Sequence, residues 1–340
     1  MRALLLTLAT AAAAALALPA AASAASLAFV KDSDVWLSAA DGSGARALTA
    51  DGRPGREYWS PSQADDGTIA ASQGQQIVLL APDGRRLRAF DAPMLFSAST
   101  GSGGRPRWVA ISPDGSRIAY AMTGTGCTEE DAWCRANGKV GVVSSTGAPL
   151  ALDPPTQVGG VPSWIGNETI AYDRSYVTLW DLASGATDLW FSDGDVTGEI
   201  LGTLDVEDAE LSDDGRRLAA VRGDATKQVQ LYDVAGPVSA AAQPAPPTPL
   251  CASPPSAAIA DPTLTADGGE VFWEQQEGVL AWSLADGCAA APRVVVPGAS
   301  QPDWGPAALP PAPARQDGPA QQTGSKKKKK KKKGKRGGRG

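Results

Sequence analysis

The side chains of this sequence that could do chemistry are carboxylates and thiols, because histidine is absent. Without imidazole there is no Ser-His-Asp or Cys-His relay, no usual proton shuttle near neutral pH and no imidazole metal ligand. No Gly-x-Ser-x-Gly elbow occurs either. The four cysteines are Cys127, Cys134, Cys251 and Cys288. A metal site needs thiolates at tighter paired spacing, usually with histidine, so disulfides are the expectation. Four cysteines allow three connectivities; the local pair Cys127–Cys134 would contribute about 2–3 kcal/mol through loop closure, leaving Cys251 with Cys288. The acids that matter are Asp208, Glu210, Asp261 and Asp303, and what they can do depends on whether the fold gathers them.

The elements that must position these groups come from a repeat. Trp59-Ser60-Pro61 leads into Asp66-Gly67 and Thr68-Ile69-Ala70; Ile111-Ser112-Pro113-Asp114-Gly115 leads into Arg117-Ile118-Ala119-Tyr120. The anchors Trp164, Leu211 and Leu264 open three further units. In each, a short apolar strand ends at the anchor, an Asp-Gly type turn follows (lost only in the unit at Trp164), and a second and third apolar strand return. Weaker outer strands close the units, as at Asp188–Phe191 and Arg293–Val296. Four antiparallel strands per unit, repeated around a circle, make a β-propeller.

The two ends complete the count. Leu27–Val30, Asp34–Leu37 and Arg46–Thr49 match a second, third and outer strand but lack an inner one, whereas Pro302-Asp303-Trp304-Gly305-Pro306 is an inner strand with nothing after it. Joined, they give an all-β, six-bladed propeller whose last blade is closed by the N- and C-terminal strands, which removes exposed sheet edges. The unit Ser112–Tyr120 resembles the TolB-type (WD40-like) propeller repeat. The resemblance covers about residues 27–306, sharp in that unit and weaker elsewhere. It implies a six-bladed propeller used mainly to bind other proteins. Periplasmic TolB proteins carry an extra mixed domain ahead of the propeller; only an export signal precedes Leu27 here, so that domain and its partners do not transfer.

On this scheme the residues one and three places before each anchor share a direction. Around the ring they are Arg56 and Tyr58, Trp108 and Ala110, Val161 and Ser163, Asp208 and Glu210, Asp261 and Thr263, Gln301 and Asp303. Acids fall on three successive blades, opposite aromatic and basic groups. The candidate ligand site is therefore the channel mouth, at Arg56, Tyr58, Trp108, Asp208, Glu210, Asp261 and Asp303. Its acidic half suits a cation: a Lys- or Arg-bearing peptide, a metal ion or the chain's own tail. The plainer alternative is that these carboxylates cap strand starts and accept backbone hydrogen bonds. The longest loops, at Ala89–Pro106, Met122–Gly138, Ser192–Asp205 and Ala235–Ala260, are expected on one face, where binding tends to sit.

Other signals are weaker. Tryptophans at repeat positions, such as Trp36, Trp180, Trp273 and Trp282, suit packing between blades. Trp133, beside Glu129, Glu130 and Asp131 inside the Cys127–Cys134 loop, could form a recognition finger. Asp193, Asp195 and Glu199 faintly suggest a calcium loop but miss the helix-loop-helix spacing. Asn167-Glu168-Thr169 fits a glycosylation acceptor at a repeat turn.

The ends carry targeting and charge. Met1-Arg2, the apolar run Ala3–Leu18 and Ala22-Ser23-Ala24 read as a cleaved secretory signal over residues 1–24, leaving no membrane span in the mature chain. The propeller then occupies 25–306 and a Pro/Ala-rich linker 307–325, with a polybasic tail at 326–340. Lys326, Lys327, Lys328, Lys329, Lys330, Lys331, Lys332, Lys333, Lys335, Arg336 and Arg339 stand in that tail without an acid, leaving 20 basic against 37 acidic side chains before it. Such a disordered basic tail suits adhesion to anionic envelope polymers, weakening with salt. It has no interleaved aromatics, so sequence-specific nucleic-acid recognition is not expected. The reading as a whole is an exported binding module for protein or peptide partners on the long-loop face, with no cofactor. The rivals are a hydrolase or lyase using the acidic channel mouth, and a polyanion-binding surface protein with a passive propeller.

Overall fold

A computed structural model describes residues 25–95, 105–123, 139–152, 160–173, 176–191, 206–223, 225–242 and 244–311. The expected export signal, the expected Cys127–Cys134 pairing with Trp133, the Asp193–Glu199 segment and the basic tail lie outside the described residues.

Among the described residues the strands form six four-stranded antiparallel sheets, each running from an inner to an outer strand. The first five blades in chain order are β4–β7 (Tyr58–Gln63, Ile69–Gln73, Gln76–Leu80, Arg86–Asp91), β8–β11 (Arg105–Ile111, Arg117–Thr123, Lys139–Ser144, Pro149–Leu152), β12–β15 (Pro162–Ile165, Thr169–Asp173, Val177–Asp181, Thr187–Phe191), β16–β19 (Glu207–Leu211, Arg217–Arg222, Gln228–Asp233, Thr248–Ala252) and β20–β23 (Ile259–Leu264, Glu270–Gln275, Gly278–Ser283, Arg293–Pro297). They are blades 1 to 5. Blade 6 pairs the last strand, β24 (Ser300–Gly305), with β1 (Ser26–Lys31), followed by β2 (Asp34–Ala39) and β3 (Arg46–Ala47). The closing register sets Ser26 opposite Gly305, Leu27 opposite Trp304 and Ala28 opposite Asp303. The ring is thus closed by the two ends of the domain, as the sequence requires.

Each blade is sandwiched between two neighbours, so both faces of its second and third strands are buried. That is why Ile118-Ala119-Tyr120 and Leu218-Ala219-Ala220 read as continuous apolar runs rather than alternating ones. The core divides into six apolar clusters, one per seam. The closure seam, for example, joins Val35 and Leu37 of blade 6 to Tyr58, Ile69 and Val78 of blade 1. The turns repeat as well. Gly115 N donates to Ser112 O at 2.8 Å with φ +71°, and the Asp114 carboxylate accepts from Ser116 N and Ser112 Oγ. Ser212-Asp213-Asp214-Gly215 makes the same turn.

Three expectations change. In blade 1 the strand-ending anchor is Gln63, paired with Ile69, and not Trp59, because Ser60-Pro61 form a bulge that carries the strand four residues further. The stretch 235–260 is not one long loop: Thr248–Ala252 is an outer strand, where Pro249 is tolerated because an edge strand has no partner for its missing N–H. The outer strand of blade 6 ends at Ala47, because the Thr49 hydroxyl turns inward to accept Val35 N at 3.0 Å.

Candidate functional site

The inner strands surround an axial channel, and four of them bend at the same place. Ser60, Asp208, Asp261 and Gln301 have φ of +46°, +50°, +47° and +51°, each at a register shift against the second strand. Three of the four precede proline, which has no N–H to lose at the bulge. The bulge turns each residue's N–H, and the side chains of Ser60, Asp208 and Gln301, toward a neighbouring blade.

The result is a first tier of bonds crossing the seams. Ser60 Oγ accepts Val109 N at 3.0 Å, and Gln301 Oε1 accepts Ser60 N at 2.8 Å. Asp208 Oδ2 accepts Asp261 N at 3.3 Å, and Glu274 Oε2 accepts Gln301 N at 3.0 Å. Asp173 accepts Val161 N within its own blade at 2.8 Å and Asp208 N from the next. At the remaining seam the Trp164 indole donates to Ala110 O at 2.8 Å.

A second tier lies one residue before each anchor. Ser62 Oγ accepts Ile111 N at 3.1 Å, Glu210 Oε1 accepts Leu264 N at 3.1 Å and Thr263 Oγ1 at 2.7 Å, Thr263 Oγ1 accepts Trp304 N at 3.1 Å, and Asp303 Oδ2 accepts Gln63 N at 2.7 Å. Ser163 holds the same position in blade 3, yet its buried Oγ has no partner; Trp304 Nε1 is likewise buried without one. The carboxylates therefore brace the ring, as the plainer reading of the sequence has it.

Bracing does not neutralise them. Asp65, Asp208, Glu210, Asp213, Asp261 and Asp303 line the channel, and no lysine or arginine does among the described residues. Burial, then the field of Asp213, pushes Glu210 up to about 7 against its bonds to Thr263 and Leu264. Burial and the facing Glu210 hold Asp303 well above the carboxylate range. Burial, with Asp208 and Glu207 nearby, raises Asp173 to about 8. Glu274 and Asp213 are raised too, first by burial. The opposite wall is apolar, with Ala110, Val161 and Pro162. The cavity measures about 120 Å³.

The residues expected at the mouth separate accordingly. Asp208, Glu210, Asp261 and Asp303 come together in the channel wall. Arg56 and Tyr58 lie outside it, a consequence of the shifted register in blade 1; Ser60 and Ser62 occupy their places. Arg56 is exposed, and Tyr58 is buried in the closure seam with its hydroxyl donating to Asp51 at 2.9 Å. Trp108 packs between blades 2 and 3, where the irregularity in β8 at Arg107 shifts its register against β9. Asp173 and Glu274 escaped sequence reasoning. Their signal was an acid at the same place on two second strands, three residues past the anchor's partner in each. Among the described residues no group of three acids or thiols converges closely enough to hold a metal ion. Cys251 and Cys288 form a disulfide joining blade 4 to the segment between β22 and β23 of blade 5. Asn167 is engaged in the turn contacts of blade 2, accepting Asp114 N at 3.0 Å.

No protein-family model matches the chain, and no curated protein matches it in sequence. Solved structures do match in fold. TolB from Acinetobacter baumannii aligns with a TM-score of 0.56 at 15% identity, over 84% of this chain and 67% of that one. A putative TolB from Agrobacterium tumefaciens aligns at 0.50 and 13% identity, over 82% and 91%. A chain of a nidogen/laminin complex aligns at 0.51 and 11% identity, over 82% and 98%. At these identities the likeness is one of architecture, and the chain has the six-bladed fold of TolB-type propellers.

Proposed function

We propose that this chain is an exported propeller that binds protein or peptide partners at the cell envelope, and that it is not an enzyme. The observation that carries the reading is the size of the channel. At about 120 Å³ it falls below the roughly 300 Å³ at which small-molecule pockets begin, a size that suits one side chain of a larger partner. The ring around it is braced at every seam, which suits a rigid platform whose ligand lies across its face. Similarity in fold to TolB, and to a chain crystallised in a nidogen/laminin complex, supports a protein partner. The tail, Lys326 to Arg339, is assigned to anionic envelope polymers, where released counterions make adhesion salt-dependent.

The test is capture from envelope extract by immobilised full-length chain, in low and high salt, with extract left intact or first digested by protease. Specific bands at high salt that vanish after digestion are the expected result. Capture indifferent to digestion but abolished by salt, or by deleting Lys326–Gly340, would mean that the propeller is a passive carrier.

A further inference from the structure

We infer that the axial channel is a subsite for one primary ammonium group, the lysyl side chain of a bound peptide. The inference rests on the reading above and adds the side chain that the ring selects. An acidic wall alone would be explained by bracing between blades. Ser163 supplies the independent pointer. It is 8% exposed, lines the channel, and its Oγ lacks any hydrogen-bond partner. Its counterparts Ser62, Glu210, Thr263 and Asp303 each accept a backbone N–H from the next blade. A buried hydroxyl left unmatched costs stability, and such groups are rare unless a missing partner completes them.

An ammonium is a donor and nothing else, with three N–H groups. Ser163 Oγ and the carboxylates of Glu210 and Asp303 stand in one tier of the ring and are acceptors of the matching kind. No lysine or arginine among the described residues stands opposite them in the wall, and burial, with the neighbouring carboxylates Asp213 and Glu210 adding to it, raises the proton affinities of Glu210 and Asp303. The apolar stem of lysine fits the other wall, along Ala110, Val161 and Pro162. A metal ion suits the site less well, since no three acids among the described residues converge on a point.

The probe is a blocked alanyl pentapeptide with one central lysine, added to the full-length chain and followed by calorimetry and by tryptophan fluorescence, since Trp164 and Trp304 line the channel. The expected result is saturable binding that weakens about tenfold or more when that lysine is Nε-acetylated, because the charge is lost. Ser163→Ala breaks no existing hydrogen bond, so it should fold normally and still weaken binding by about three- to tenfold through the lost acceptor. Equal binding of the acetylated peptide, or unchanged affinity in Ser163→Ala, overturns the inference. So does a saturable fluorescence change with calcium chloride alone and none with the peptide, which would make the channel a metal site. Partner capture that persists while the lysyl peptide fails to bind leaves the module reading standing and removes only the ammonium subsite.

Discussion

Glu210 is where bracing and charge can be pulled apart. Its Oε1 accepts Thr263 Oγ1 at 2.7 Å and Leu264 N at 3.1 Å across the seam between blades 4 and 5. Glu210→Ala leaves both donors without that acceptor. A buried donor left unsatisfied costs about 1–3 kcal/mol, and the threonine hydroxyl can turn elsewhere, so the expected loss is about 2–4 kcal/mol. For a domain of this size that lowers Tm by about 5–10 °C. Glu210→Gln keeps the oxygen and removes the charge that faces Asp303 and Asp213. At pH 8, above its folded pKa of about 7, Glu210 is ionised, so the glutamine variant should match or exceed the native chain. At pH 5 the native group is already protonated, and the two should agree within about 1 kcal/mol. Thermal unfolding of the three proteins at both pH values decides it. Were the glutamine variant as unstable as the alanine one, or the alanine variant as stable as native, the brace would not exist.

The remaining predictions concern the same ring. Asp173 and Glu210 have folded pKa values of about 8 and 7, above their unfolded ones, so the folded state binds more protons between roughly pH 4 and 8. Their stabilising contribution is complete at low pH and lost as pH rises through those values, so Tm should fall from pH 5 to pH 8.5; a Tm that rises over this window contradicts the assignment. The carboxylates held low by turn bonds, such as Asp114 and Asp267, titrate below this window and do not mask it. Replacing Cys251 and Cys288 together by serine opens a loop with a sequence separation of 37, which should cost about 4 kcal/mol by chain entropy, read from denaturant midpoints. Gly305→Ala would set a Cβ 2.9 Å from Gln63 Cβ at the closure seam. A loss of about 1–3 kcal/mol is expected from that crowding, and none would mean that the seam is loose.

The blades were legible because their turns are. An Asp-Gly turn between two apolar runs fixes a hairpin with almost no help from the rest of the chain, and the units at Ile111, Leu211 and Leu264 show it. The register of blade 1 was not legible. Trp59-Ser60-Pro61 imitates an anchor, and the bulge that carries the strand on to Gln63 depends on Ser60 bonding across to Val109 and Gln301. The same limit explains the site. Glu210 and Asp303 reveal themselves by spacing from an anchor. Arg56, Tyr58 and Trp108 were placed by counting through strands whose bulges shift the count. Repeated x-Pro pairs at Ser60-Pro61, Asp261-Pro262 and Gln301-Pro302 were the available sign of those bulges. Asp173 acts across a seam, and no local pattern encodes a partner one blade away.

Everything about the channel depends on blade 6 being one sheet built from both ends of the domain. Native-state hydrogen exchange of the amides in Ser26–Lys31 and Ser300–Gly305 tests this most directly. Backbone amides paired between these strands should exchange as slowly as those of Arg117–Thr123, opening only with global unfolding. Exchange of the terminal strands orders of magnitude faster than that internal hairpin would show an open ring, and the acidic channel would lose its sixth wall.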